Sequence, residues 1–371
     1  MIRKNNLALL MLMTLVLMMV PYWCFYSHNR ITIQLVNDMR STSGKISMVE
    51  DFNVPDLPVT SCTIFTVKSG GNVFFGGNED EGGSRRNTRM WFVPASDETY
   101  GAAYFGFIDN LPGGDDIDGL AIGGINTEGL CFDANGVMPP VYIEPNADGL
   151  VMSGIIYWEV ILRECATVKE VIQWHETHNM GGWWGNQVHW ADASGDAVVI
   201  SGCPDGELAF TRIESNYLVS TNFNLANTSH GYYPCQRYNL VTAKLDYYIK
   251  NGSVTLDNCR TTLYLVHSPA TSRYIGTVYT TIYDLKARDI YLFIHGNYTT
   301  AVKINLIDVL EQGNHEYRIS EDLLSSLPTI TIPLSNPVHS TPAWGFIESS
   351  IAVAVYYWFV NSTRIRKKKD T

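Results

Sequence analysis

Hydrophobic positions along the chain fall into two kinds of run. A long apolar stretch stands at each end: Leu7 to about Phe25, broken by Thr14 and Pro21, and Trp344 to Val360, broken by Glu348 and two serines. Between them lie short runs rich in β-branched and aromatic residues, punctuated by Gly, Asn and Asp, as strands closed by turns are. Cys62 to Lys68 predicts a strand, Gly70-Gly71-Asn72 a turn, and Val73 to Phe75 the returning strand of a hairpin. Further strands are predicted over 120–125, 129–133, 188–191, 197–200, 217–220, 277–283 and 290–294. Spaced apolar residues with few breakers predict helices over 154–165, 167–177 and 237–250. Strands outnumber helices and pair locally, which predicts packed antiparallel sheets with helices outside them rather than a parallel βαβ sheet.

The terminal runs predict membrane contact. Arg3 and Lys4 precede the first, so residues 1–26 read as a signal peptide or signal-anchor. Arg364, Arg366, Lys367, Lys368 and Lys369 follow the second, so residues 341–371 read as a membrane span with a basic cytoplasmic tail. Both ends obey the positive-inside rule if the middle is exported, anchored on the extracellular side by the C-terminal span. Residues 27–61, polar and irregular with Pro55 and Pro58, read as a propeptide or tether, and 62–340 as one catalytic domain.

Composition narrows the function. With 371 residues, 46% hydrophobic and 17% charged, the chain can bury a large core. A formal net charge of -11, with no Lys/Arg cluster inside the globular part, argues against a nucleic-acid partner. There is no G-x-S-x-G elbow, no H-E-x-x-H, no P-loop lysine motif and no CxxC pair, so no metal site and no cofactor is predicted. His175 and His178 could share a helix face, but no third ligand matches, and both read as surface histidines. Export permits one or two disulfides among Cys131, Cys165, Cys203, Cys235 and Cys259, with the connectivity open. Asn227, Asn251 and Asn297 each open a glycosylation sequon.

The remaining chemistry centres on Cys62, at the head of a strand after a propeptide-like stretch. A free α-amino group titrates at about 7.7 to 8.0, so an N-terminal cysteine brings its own general base within reach of its thiol. Five segments accompany it: Cys62-Thr63; Gly76-Gly77-Asn78-Glu79-Asp80; Gly124 to Asn135, containing Asn126-Thr-Glu-Gly129-Leu130; Val219-Ser-Thr-Asn222-Phe223; and Cys235-Gln-Arg237-Tyr238. Thr280-Thr281-Ile-Tyr283-Asp284 follows. In this order, over about residues 62–295, the sequence resembles the cysteine N-terminal-nucleophile (Ntn) hydrolases: choloylglycine hydrolases, penicillin V acylase and isopenicillin N acyltransferase.

The resemblance implies an α+β fold, a four-layer αββα sandwich of two packed antiparallel sheets with outer helices. It implies self-cleavage between Ser61 and Cys62, leaving Cys62 as nucleophile. Asp80 would hold the new α-amine, Asn222 and Asn135 would serve the oxyanion, and Arg237 would border the nucleophile and favour its thiolate. The implied reaction is cleavage of a linear, non-peptide amide in a small-molecule N-acyl amine or amino acid through a thioester. Acyl transfer, dipeptide cleavage and a catalytically silent membrane-tethered binding module are the alternatives. One departure stands out: Gly77 occupies the place where many of these enzymes have arginine, so that contribution is absent or comes from Arg85, Arg86 or Arg89. Trp91-Phe92, Tyr104-Phe105, Trp183-Trp184 and Tyr232-Tyr233 are candidates for an apolar acyl pocket.

Overall fold

The protein is described by a computed structural model over residues 62–81, 88–107, 120–146, 149–150, 157–270 and 276–333. The signal, tether and C-terminal span predicted from the sequence lie outside the described residues, as do Ser61, Arg85 and Arg86. Among the described residues no helix is long and apolar enough to cross a membrane.

The predicted hairpin forms, and it is longer than its apolar pattern. Strand β1 (Thr63–Ser69) turns at Gly70 and Gly71, with φ of 60° and 90°, into β2 (Asn72–Glu81). Two successive positive φ values are what a two-residue hairpin turn demands, and glycine supplies them without a Cβ clash. Because β2 runs on to Glu81, the Gly-Gly-Asn-Glu-Asp segment is strand, and its side chains alternate between the two faces of a sheet.

This hairpin is part of a seven-stranded antiparallel sheet. Its order is β10 (Tyr217–Ser220), β1, β2, β11 (Gly276–Asp284), β12 (Asp289–Ile294), β13 (Thr300–Asn305) and β15 (Thr329–Thr331). The second sheet has eight strands, in the order β14 (His315–Arg318), β3 (Thr88–Val93), β4 (Ala102–Phe107), β5 (Leu120–Asn126), β6 (Cys131–Ile143), β7 (Gly182–Ala191), β8 (Ala197–Gly202) and β9 (Leu208–Arg212). Helices α1 (Tyr157–Glu164) and α2 (Val168–Thr177) cover the outer face of the second sheet. Helices α3 (Gln236–Lys250) and α4 (Leu256–Leu265) cover the first. Two single-turn helices, α5 (Leu306–Leu310) and α6 (Leu323–Ser326), complete the set among the described residues.

Three apolar cores separate the four layers. Ile64, Phe75, Phe92, Phe105, Ile125, Val199 and Tyr283 fill the space between the sheets. Tyr104, Phe132, Trp190, Leu162 and Val171 lie under α1 and α2, and Phe65, Val67, Ile282, Val241 and Leu263 under α3 and α4. The architecture is therefore the expected αββα sandwich. Consecutive residues of one strand serve different cores, which is why these strands read as near-continuous apolar runs.

Several expectations are corrected by this layering. The aromatic pairs at 91–92 and 104–105 split between cores, with Phe92 and Phe105 between the sheets and Trp91 and Tyr104 under the helices. Cys131, Cys165 and Cys259 sit in three different cores, and all five cysteines offered for disulfides are free. Stacked sheets stand about 10 Å apart, beyond the span of a disulfide. His175 is buried rather than on the surface: its Nδ1–H donates to the Val171 carbonyl at 2.8 Å, and burial pushes it down to about 4. His178 lies flat on Trp174, ring centroids 3.6 Å apart.

Candidate active site

Cys62 immediately precedes β1 and is 7% exposed, on the face turned toward the second sheet. Its thiol donates to Glu79 Oε2 at 3.5 Å. Burial, then the charges of Glu79 and Asp80, push the thiol well above its ordinary range, while the Asp80 backbone N–H at the sulfur opposes them. The thiol is therefore protonated and requires a base to become a nucleophile.

Arg237 sits in the first turn of α3, where the helix dipole disfavours a cation. Three acceptors offset that placement. Nη1 donates to the Cys62 carbonyl and to Thr63 Oγ1, both at 2.7 Å, and Nη2 donates to Asn222 Oδ1 at 3.0 Å. The planar fork thus binds the Cys62 backbone to the Asn222 side chain. Its charge also acts on Asp80, pulling that carboxyl down against burial.

Asn222 follows β10 in the segment 221–225. With Oδ1 held by Arg237, its Nδ2 donates one hydrogen to the Gly136 carbonyl at 2.9 Å, which leaves one N–H with a fixed direction. The segment itself hangs on Gln187 of β7, a buried residue the sequence analysis missed. Gln187 Nε2 donates to Thr221 O at 2.7 Å and Phe223 O at 2.8 Å, while its Oε1 accepts from Ser201 Oγ at 3.1 Å and Leu225 N at 3.0 Å. The signal was present: Gln187 and His189 are polar at inward positions of a strand whose other face is apolar.

Asp80 receives the Thr277 hydroxyl on Oδ1, while Oδ2 is buried with no hydrogen-bond partner. Burial raises its carboxyl to about 7, against the pull of the Thr277 hydroxyl, the Arg237 charge and the Ser268 N–H. Its neighbour Asn78 ties this strand to the helix layer, donating to the Leu263 carbonyl at 3.0 Å and accepting from Thr280 Oγ1 at 2.7 Å and the Tyr298 hydroxyl at 3.0 Å.

Asn135 is 0% exposed, and neither of its amide atoms has a hydrogen-bond partner. Arg237 thus bonds both Cys62 and Asn222, with Asp80 linked to them through backbone and charge. Asn135 joins them only through its chain neighbour Gly136. Asn126 has a structural use: Oδ1 accepts from Glu128 N and Leu130 N, and Nδ2 donates to the Leu162 and Cys165 carbonyls, closing the end of α1.

Gly77 faces the second sheet, and a Cβ there would lie 2.3 Å from Asp133 Oδ2. The space is thus filled by a carboxyl from β6, so no side chain fits at Gly77 without moving Asp133. Arg89 does not replace the arginine of the resemblance. It pairs with Glu316 at 2.6 Å and lies 4.4 Å over the Trp91 ring, on the outer face of the second sheet. Tyr232 and Tyr233 are exposed, Tyr233 edge-on to Phe223. The sequon residues Asn251 and Asn297 are exposed and Asn227 is half-buried. Among the described residues no group of three or more His, Cys, Asp or Glu is placed to hold a metal.

No family model matches the sequence, and no curated protein does. The fold has counterparts among solved structures. One variant of conjugated bile acid hydrolase from Clostridium perfringens is similar at 16% identity, over 70% of this chain and 96% of its own, with a TM-score of 0.53. A second variant of that enzyme is similar at 15% identity, over 76% of this chain and 100% of its own, with a TM-score of 0.52. The fold is that of the Ntn hydrolases.

Proposed function

We propose that this chain, with its Ntn-hydrolase fold, is an amide hydrolase whose nucleophile is Cys62, exposed as a first residue by cleavage after Ser61. The observation that carries the reading is the Arg237 fork, a buried cation on the wrong end of a helix that binds the Cys62 carbonyl and the Asn222 amide together. Local rules are broken in this way where function requires it.

The chemistry follows from the groups. Cleavage frees an α-amine on Cys62, and the buried, unpartnered Asp80 Oδ2 is an acceptor suited to an ammonium. The amine takes the thiol proton, and the sulfur attacks the carbonyl carbon of a linear C–N amide in an N-acylated amine or amino acid. The oxyanion accepts the remaining Asn222 Nδ2–H, whose direction Arg237 and Gly136 have fixed in advance. Collapse expels the amine with the relayed proton and leaves a thioester, which water then resolves. The basic-flanked apolar ends support action outside a membrane, anchored by residues 341–371, which cell fractionation and protease shaving test.

Intact-mass measurement of the purified protein tests the enzyme. A mature chain beginning at Cys62 is expected, with Cys62→Ala remaining uncleaved and losing amidase activity by about a thousandfold or more. A wild-type chain still joined from Ser61 to Cys62, without thiol-dependent amidase activity, overturns the proposal.

A further inference from the structure

The polar groups facing the second sheet beside Cys62 include one that the proposed mechanism does not use. Asp133 is 8% exposed and holds one oxygen to the Ala134 N–H at 2.8 Å. The other is set over the bare Cα of Gly77, where a Cβ would come within 2.3 Å of it. Gly77 and Glu79 are alternate residues of β2 on one face, about 7 Å apart along the strand, and Glu79 is the residue that Cys62 Sγ reaches. The charge of Asp133 is felt at Cys62, Tyr279 and Tyr283. Two residues along β6 on the same face stands Asn135, fully buried with both amide atoms unmet. A carboxyl and an unsatisfied amide thus stand on one face of β6, the face that meets Gly77 of β2.

Resting on the proposed function, we infer that Asp133 and Asn135 form a specificity subsite for a cationic nitrogen, so that the preferred substrates are amides bearing an ammonium or guanidinium group close to the scissile bond. Burial pushes the Asp133 carboxyl up to about 8, against the pull of the Ala134 N–H. An arriving cation supplies a counter-charge beside it, and the carboxyl gives up its proton as the pair forms. The Asn135 carbonyl oxygen offers a second acceptor to the same group, while its N–H₂ is free for the substrate's polar framework. A carboxylate-bearing substrate is desolvated there without a counter-charge and is disfavoured.

Two matched series of amides test this on the mature enzyme. On the acyl side they are γ-aminobutyryl, pentanoyl and succinyl amides of one amine; on the amine side, one acyl group on ethylenediamine, propylamine and glycine. The cationic member should exceed its neutral isostere in kcat/KM by about tenfold or more in at least one series, with the anionic member lowest. Asp133→Asn should bring that ratio close to one. Gly77→Ala, which crowds the carboxyl without removing it, should lower the ratio in the same direction. A neutral isostere that equals or beats the cation in both series overturns the subsite even if neither variant folds, and so does a ratio that survives Asp133→Asn. Hydrolysis of neutral amides that Cys62→Ala abolishes would leave the proposed function standing while the subsite falls. Absence of Cys62-dependent hydrolysis in both series removes both.

Discussion

Arg237 concentrates several demands in one side chain. A guanidinium can bind the Cys62 carbonyl, the Thr63 hydroxyl and Asn222 Oδ1 at once because its donors diverge from a rigid plane. A lysine ammonium has donors enough but cannot span the same acceptors. Arg237→Lys is therefore expected to lower kcat by about tenfold or more with KM changed less than about threefold, since the oxyanion donor is misaimed while the substrate's other contacts remain. Steady-state kinetics on the mature enzyme check it, and an equal rise in KM would contradict the assignment. Asn222→Ala removes the donor itself and should lower kcat by about a hundredfold to a thousandfold. Asn222 and Arg237 were legible in the sequence because each lies within a short segment in a recognisable order. The contact of Asp133 with Gly77 was not, because it depends on how two sheets face each other. Neither residue's neighbours in the chain carry that information.

At the scale of elements, strands and helices differ in what they hold in place. Gln187 on β7 bonds the carbonyls on both sides of Asn222, so the sheet positions the Asn222 segment through one side chain. Gln187→Leu keeps the volume but leaves two carbonyls and the Leu225 N–H unmet, at about 1–3 kcal/mol for each group that water cannot reach. Thermal melts should show Tm lower by roughly 5–10 °C, and kcat should fall with the loss of Asn222 alignment. Thr167→Ala is the contrast. It breaks the capping box of α2, in which the Thr167 hydroxyl accepts from Glu170 N and Glu170 Oε2 accepts from Thr167 N. It should cost about 1 kcal/mol with kcat unchanged, because α2 lies on the outer face of the second sheet. Element identity was readable for β1, β10, α2 and α3, whose apolar periods stand clear of their turns. Strands β3 and β4 and helix α4 were among the elements missed. In the strands both faces are buried, so no alternation marks them, while α4 spreads its buried positions over mixed polar residues.

Over the whole molecule, buried titratable groups set a direction for stability against pH. Burial raises Asp133 to about 8 and Asp80 to about 7, and lowers His189 to about 3 and His175 to about 4. Each raised carboxyl binds its proton more tightly folded than unfolded, so its contribution is lost as pH rises from about 4 through the folded value. Each depressed histidine acts in the opposite sense, but only below about 6.5, its unfolded value. The two effects oppose each other between about pH 4 and 6.5, and above that the carboxyls act alone. The uncleaved Cys62→Ala protein should therefore melt several degrees lower at pH 8 than at pH 6.5, and Asp133→Asn should shrink the difference. A melting temperature flat or rising over that interval would contradict the burial of these acids. The same long-range assembly also governs timing. The Cys62 carbonyl meets Arg237 across 175 residues, and Asp80 meets Thr277 across 197. Loop closure over such separations is slow, and the nucleophile cannot be armed by its local hairpin alone. On the proposed function, activity at Cys62 would wait until the chain has been synthesised and folded past β11, which would keep its thiol silent in every truncated or half-folded copy.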